Sequence, residues 1–276
     1  RTHAARNLKA AMPEIEAPKP TSFTCALVSG ASAGLFVDIA LFPIDTLKTR
    51  LQSPHGFFKA GGFRGIYSGL SATALGSAPG ASLFFSTYET MKAPAKKVTS
   101  SDVLSQQLAA SVGECVACLV RVPTEVVKQN MQAGNYSTMG EATRSLFATE
   151  GIGGFYRGFL STVMREIPFS LIQFPLWEGS KKKWGEAQGR PVSPWQGTIC
   201  GALSGGFSGA ITTPLDLAKT RLMLGADAQG VPYKGVFDVW TKVYQEGGIQ
   251  KLYTGAGPRT FWLTLGGMFF FGAYEQ

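Results

Sequence analysis

Charged side chains are scarce in this chain. Only 16% of its 276 residues are Asp, Glu, Lys or Arg, against roughly 25% in ordinary soluble domains. Cysteine is scarce too: Cys25, Cys115, Cys118 and Cys200 do not make a disulfide scaffold in a chain of this size. Cys115-Val-Ala-Cys118 has metal-like spacing, but there is no second pair, and His3 and His55 lie far off in sequence. Small buried helix residues are the better reading, and no metal site is expected. There is no Ser/His/Asp set and no phosphate-cradling Gly loop with a Lys, so neither an enzyme nor a cofactor is expected. The net charge of +8 does not imply nucleic acid. Such binding needs clustered bases with exposed aromatics, and the one short run is Lys181-Lys182-Lys183. A basic surface facing anionic lipid suits the charge equally well.

What the chain does have is a three-fold repeat. Phe42–Gln52 reads FPIDTLKTRLQ; it returns as VPTEVVKQNMQ at 122–132 and TPLDLAKTRLM at 213–223. A second motif follows each copy: GIYSG ending at Gly69, GFYRG at Gly158 and KLYTG at Gly255. A third closes each: Tyr88-Glu89, Trp177-Glu178 and Tyr274-Glu275. From second-motif Gly to closing aromatic is 19 residues in all three copies. A constant length implies a rigid element, and 19 helical residues rise about 28 Å, close to the hydrocarbon thickness of a bilayer. Each repeat therefore reads as an apolar helix broken at Pro, a short amphipathic helix and a second apolar helix.

Six apolar windows result, at 23–42, 70–87, 104–122, 159–176, 196–213 and 256–273, all of membrane-span length. Of 44 charged residues only Asp38, Glu114, Arg121, Arg165, Glu166 and Arg259 fall inside them. A soluble helical protein would carry charge along one face of each helix; here the windows are emptied of it. Modest hydropathy reflects Gly, Ser and Thr, which suit close helix packing. Gly30 with Gly34, and Gly201, Gly205 and Gly209, have GxxxG spacing, and in the middle repeat Ala110 and Glu114 take the two matching positions. Basic residues number 12 on the proline side and 11 on the other, so the positive-inside rule does not orient the chain. Six spans place both termini on the same side. Residues 1–21 read as a polar tail, and three units follow at 22–95, 96–190 and 191–276. The start at Arg1 and the end at Gln276 suggest a trimmed N-terminus and a shortened third repeat.

The three motifs resemble those of the mitochondrial carrier family, whose signature is Pro-x-acid-x-x-base-x-base, an acidic-Gly element and aromatic-base-Gly, three times over. The resemblance runs from about residue 22 onward. It departs at Asn130, which replaces the second base of repeat two, and at Gly61 and Gly247, which stand where the acids of repeats one and three belong. It implies six transmembrane helices in three pseudo-symmetric repeats around a central cavity, with three short matrix amphipathic helices. It implies alternating access across the mitochondrial inner membrane, with both termini in the intermembrane space. Asp45, Glu125 and Asp216 would then pair with Lys128, Lys219 and Lys48 of neighbouring repeats, closing the cavity on the matrix side. Gln52 and Gln132 would brace that ring, a role Met223 lacks the donor for. Glu89 with Lys92, Glu178 with Lys181, and Glu275 would form the cytoplasmic counterpart, braced by the Tyr88 and Tyr274 hydroxyls and the Trp177 indole. Read without the resemblance, Asp45 and Lys48 are an i,i+3 surface pair, which leaves three copies beside prolines unexplained.

Ionisable residues at membrane depth are functional by default; the plainer reading, an internal ion pair, is strongest for Arg259, just after Pro258, and Arg121 lies close to the ring. The family's substrate level falls about a dozen residues before the closing aromatics, on Gly76-Ser77, Arg165-Glu166 and Trp262-Leu263. One wall then offers a base and an acid, another is small, and the third is an indole. With Asp38 and Glu114 this suits a molecule of both charge signs with a flat part. Ser77, Arg121 and Arg259 complete the candidate set. Within the family the strings 37–53, 77–89, 113–129 and 165–178 are similar to those of S-adenosylmethionine carriers. That implies S-adenosylmethionine exchanged for S-adenosylhomocysteine, with Asp38 and Glu114 facing the cationic groups, Arg165 the carboxylate and Trp262 the adenine. An amino acid or another cationic metabolite is the alternative substrate, and a proton leak through Glu166 or Glu114 a weaker one. A monomer is the simplest assembly, with structural cardiolipin near Tyr156-Arg157-Gly158 and Tyr233-Lys234-Gly235, where helix N-termini attract phosphate.

Overall fold

The computed structural model describes residues 39–99 and 102–274, with 102–104 and 267–274 described by backbone alone. Asp38, Glu275, Cys25 and most of the 23–42 window lie outside the described residues, as does the Tyr274 side chain. Among the described residues nine helices follow one another: α1 (39–52), α2 (Leu70–Val98), α3 (Asp102–Gln132), α4 (Met139–Phe155), α5 (Phe159–Gln188), α6 (Pro194–Ile211), α7 (Thr213–Leu224), α8 (Val236–Leu252) and α9 (Ala256–Tyr274). Among the described residues there is no strand, and an isolated bridge joins Ala226 and Pro232. The long helices pack side by side: α2 along α3, α5 along α6, and α6 along α9.

The expected break at proline occurs in one repeat of three. α1 and α3 continue through Pro43 and Pro123, whereas the third repeat divides at Thr212 into α6 and α7. A helical proline leaves the carbonyl four residues back without its donor. For Pro123 that carbonyl is Leu119, and the Tyr156 hydroxyl donates to it at 3.0 Å. In the third repeat Thr212 turns its backbone to φ −85°, ψ 8° and its hydroxyl donates to the Ser208 carbonyl at 2.8 Å.

The expected trio of amphipathic connectors is also reduced, to α4 and α8. Residues 53–69 form successive turns instead of a helix, because Gly56, Gly61, Gly62 and Gly65 all adopt positive φ, a conformation that ends helical turns. Arg50 holds this segment, donating from Nη1 to the Gly62 carbonyl at 2.7 Å and from Nη2 to Gly65 at 3.1 Å.

α2, α5 and α9 each begin immediately after the second-motif glycine, which has positive φ in every copy: Gly69 (91°), Gly158 (73°) and Gly255 (86°). A side chain on Gly69 would meet the Lys128 carbonyl at 2.9 Å, one on Gly158 the Met223 side chain at 3.1 Å, and one on Gly255 the Gln52 side chain at 3.1 Å. Each repeat thus presses its helix start against the helix end of the next, in cyclic order. Glycine serves the same purpose between α6 and α9, where a Cβ on Gly209 would fall 2.3 Å from Leu263, and between α2 and α3, where one on Gly76 would fall 2.3 Å from Thr124.

The apolar core gathers at the proline end, around Val122, Val126, Leu146 and Met223 and around Leu217, Val239 and Val243. Higher up, the outer faces of the long helices expose Leu75, Phe85, Leu160, Leu171, Leu203 and Phe207, each more than half accessible. Among the described residues no helix is long and apolar enough to meet the usual hydropathy criterion for crossing a membrane; small and hydroxylated residues such as Ser77, Ser204 and Ser208 dilute the windows.

Gly69→Ala should destabilise the protein by about 1–3 kcal/mol, since it demands a left-handed alanine against a fixed carbonyl. Gly179→Ala, in open space within α5, should be neutral or stabilising by up to about 1 kcal/mol. Thermal unfolding of the purified protein separates the two; equal shifts would dismiss the glycine contact.

Candidate functional site

The prolines aim the ends of α1, α3 and α7 at one another, and their charges pair between repeats. Lys48 Nζ lies 2.7 Å from Asp216 Oδ2, Lys128 Nζ 2.7 Å from Asp45 Oδ2, and Lys219 Nζ 2.6 Å from Glu125 Oε1. Asp45 and Lys48, neighbours in sequence, therefore serve different partners. Burial alone would raise the Asp45 carboxyl, but Lys128 and then Lys48 more than offset it and hold it at about 2. Burial pushes the Lys48 ammonium below its usual range; Asp216 opposes this and Arg259 adds to it.

Two further layers follow the same cyclic order. Gln132 Nε2 donates to Asp45 at 3.1 Å and Gln52 Nε2 to Asp216 at 3.2 Å. These amides are held in turn by Thr49 and Thr220, whose hydroxyls donate to Gln132 Oε1 at 2.9 Å and Gln52 Oε1 at 2.8 Å. Met223 has no such group, and Gln129, at the Thr49 and Thr220 position, donates to Glu125 at 3.2 Å from its own helix. The last motif base binds backbone: Arg50 Nε donates to the Gln132 carbonyl at 2.8 Å and Arg221 Nε to the Gln52 carbonyl at 2.6 Å. Asn130, read from sequence as a departure, makes the matching bond, Nδ2 to the Met223 carbonyl at 3.1 Å.

Sequence reasoning missed this use of Arg50, Asn130 and Arg221, and it missed Thr49, Gln129 and Thr220 altogether. The available signal was positional: each trio occupies one place in the repeat and has a donor there. Gly247 does stand where the motif's acid belongs, and a carboxylate still reaches this place. Glu246, one residue earlier, lies 3.2 Å from Arg221 Nη2, because non-helical backbone at Gly247 and Gly248 reorients the segment. In repeat one, where Gly61 supplies no carboxylate, carbonyls receive Arg50; in repeat two, Glu150 pairs with Arg157 instead.

Above the ring lies a cavity of about 490 Å³. Ser77, Arg121, Arg165, Glu166, Arg259 and Trp262 of the candidate set line it together with the ring charges. The base and acid on α5 pair with each other, Arg165 to Glu166. Glu114 pairs with Arg121 two turns along α3 and is not among the lining residues, so its carboxylate is already engaged. Arg259 Nη1 lies 2.5 Å from Asp216 Oδ1, and its Nη2 donates to Thr212 Oγ1 at 3.0 Å. At the far end, Glu89 pairs with Lys92 at 2.6 Å and Glu178 with Lys181 at 3.2 Å, each within its own helix. Lys92 covers the Tyr88 ring and Lys181 the Trp177 ring. The Trp177 indole donates to the Gly197 carbonyl at 3.1 Å, so in this conformation it braces the start of α6 and not Glu178.

The mitochondrial carrier protein family matches residues 55–97, 99–188 and 190–276. The chain belongs to that family. Among its relatives, a carrier of Xenopus tropicalis named mitochondrial S-adenosylmethionine carrier protein is 50% identical over 259 residues, covering 92% of this chain and 95% of that one. A Drosophila melanogaster protein named S-adenosylmethionine mitochondrial carrier protein homolog is 50% identical over 258 residues, covering 92% and 91%. The putative mitochondrial carrier protein PET8 of Saccharomyces cerevisiae is 44% identical over 269 residues, covering 92% and 93%.

Glu246→Gln should cost about 2 kcal/mol, because it leaves the fully buried Arg221 guanidinium without its carboxylate. Glu150→Gln, in a more exposed pair, should cost below about 1 kcal/mol. Unfolding midpoints of the two variants are the measurement, and a larger loss for Glu150→Gln would contradict the assignment.

Proposed function

We propose that this mitochondrial carrier transports S-adenosylmethionine across the inner membrane, in exchange for S-adenosylhomocysteine, and catalyses no reaction. The observation that supports it most is the pairing of three acids with three bases of neighbouring repeats beneath a cavity of mixed charge. The ring is a matrix gate, shut in this conformation. The residues at the other end, paired within their helices, are the cytoplasmic gate in its open arrangement. Six transmembrane helices carry the two gates, and the exposed apolar belt on α2, α5 and α6 faces acyl chains. The termini lie in the intermembrane space, the carrier works as a monomer, and cardiolipin phosphates sit at the starts of α5 and α8.

Ion pairs suit a gate because desolvation cancels much of their attraction. A ring of them separates at a cost that differential substrate binding can meet. Within the cavity, S-adenosylmethionine presents a carboxylate to Arg165, its sulfonium and ammonium to carboxylates, and its adenine to Trp262. The Arg165–Glu166 pair is suited to this, since a zwitterionic ligand replaces one internal ion pair by two intermolecular ones. Glu114 needs release from Arg121 before it can take part, which makes Glu166 and Asp38 the better candidates for the cationic groups.

Proteoliposomes loaded with S-adenosylhomocysteine should take up labelled S-adenosylmethionine, and either compound should raise the unfolding temperature. Arg165→Gln and Glu166→Gln should each reduce uptake about tenfold or more, as loss of one charge-assisted contact predicts. Stabilisation by an amino acid, with none by either adenosyl compound, would replace this substrate by the alternative.

A further inference from the structure

Asp216 differs from the other two ring acids in how its oxygens are used. Oδ2 faces the ring, 2.7 Å from Lys48 and 3.2 Å from Gln52. Oδ1 faces the cavity floor, 2.5 Å from Arg259 Nη1 and 3.9 Å from Arg165 Nε. Asp45 directs Oδ2 alone at both Lys128 and Gln132. Glu125 uses Oε1 for Lys219 and Gln129, while its buried Oε2 has no hydrogen-bond partner. One carboxylate therefore joins α1, α5, α7 and α9, and among the described residues it is the ring acid within 4 Å of the arginines of the substrate level.

The cations around it are unequal. Arg121 has Glu114, Arg165 has Glu166, and Lys128 and Lys219 have Asp45 and Glu125. Arg259 has no acid to itself among the described residues; it shares Asp216 with Lys48. Its Nε is buried without a hydrogen bond, as is Arg165 Nε. Two cations sharing one buried carboxylate repel each other and split its attraction.

We propose that Arg259 is a positioning residue that weakens the Lys48–Asp216 pair, making this the ring's first corner to open and linking it to charge arriving at Arg165 and Glu166. The proposal rests on the reading of the ring as a gate. A ligand charge that shifts Arg165 changes what Oδ1 of Asp216 feels, and Oδ2 passes the change to Lys48. The glutamine on that corner works the other way, holding Asp216 toward the ring.

The test pairs a substrate-free measurement with transport. In ligand-free protein, Arg259→Gln should slow amide hydrogen exchange over 43–52 and 213–224 by about fivefold, the low end of coupling between sites, with 122–132 changed less. S-Adenosylmethionine should still raise the unfolding temperature, while its uptake into proteoliposomes falls by a similar factor. Adding Gln52→Met, the residue repeat three has at that place, should return both exchange and uptake toward wild type. A merely structural Arg259 predicts the opposite, since the second substitution would then add to the damage. Arg259→Lys, whose compact ammonium shares a carboxylate less well than a guanidinium, should show the same slowing in smaller degree, and it decides the question if Arg259→Gln does not fold. Faster or unchanged exchange in these variants, or no recovery with Gln52→Met, overturns the proposal. Failure of wild-type S-adenosylmethionine uptake alone overturns the substrate reading and leaves the exchange measurement to judge Arg259.

Discussion

Asp45, Glu125 and Asp216 each have their cation on the next repeat, and that exchange of partners organises everything around it. A buried carboxylate must be compensated or it will not stay ionised. Here the compensating lysine is never the one nearest in sequence. The same cyclic order governs the donors to the Gln132, Met223 and Gln52 carbonyls and the close approach of Gly69, Gly158 and Gly255 to their neighbours. A repeat folded alone would leave its acid and its helix-starting glycine without counterparts, and its last motif base without the neighbouring carbonyl. The three units complete one another, and the centre of the molecule is the place where they do so.

Where the repeats differ, compensation is local. Asn130 lacks the charge of Arg50 and Arg221 but keeps the one N–H that reaches the neighbouring carbonyl. Met223 lacks an amide, and Gln129 approaches Glu125 from within its own helix. Gly61 removes a carboxylate, and the carbonyls of a glycine-rich turn receive Arg50 in its place. Glu246 recovers its pairing although it stands one position early. These substitutions preserve the hydrogen-bond role of each position and let charge vary, as expected where a bonded donor matters more than net electrostatic gain.

Charge separates the two ends of the pathway. At the proline end, opposite charges lie on different helices and converge; at the other, Glu89 and Glu178 turn to lysines three residues along their own helices. Pairs of the first kind require helix ends to meet, whereas pairs of the second kind form wherever the helices stand. Between them, the Arg165–Glu166 pair and the divided attention of Asp216 place mixed charge in the cavity above the ring.

Much of this was legible in the residues. Three copies of a motif at constant internal spacing announced three units, and the resemblance of that motif to the carrier signature implied the ring. Periodicity also placed the long helices, since α2, α5 and α9 begin where the second-motif glycines stand. It did not place the breaks. Whether a helix survives its proline depends on a donor from elsewhere, such as the Tyr156 hydroxyl at the Leu119 carbonyl. Whether a connector forms a helix depends on glycine backbone angles, which turned the first into a series of turns. The partners of Glu114 and Arg259 were hidden as well, because pairing within the apolar windows follows from helix rotation and not from spacing. The sequence alone determined the repeat, the helices and the kinds of charge at each level, because those follow from local pattern. Only the tertiary structure decided which charge meets which, because a side chain reaching another repeat is set by how the helices converge.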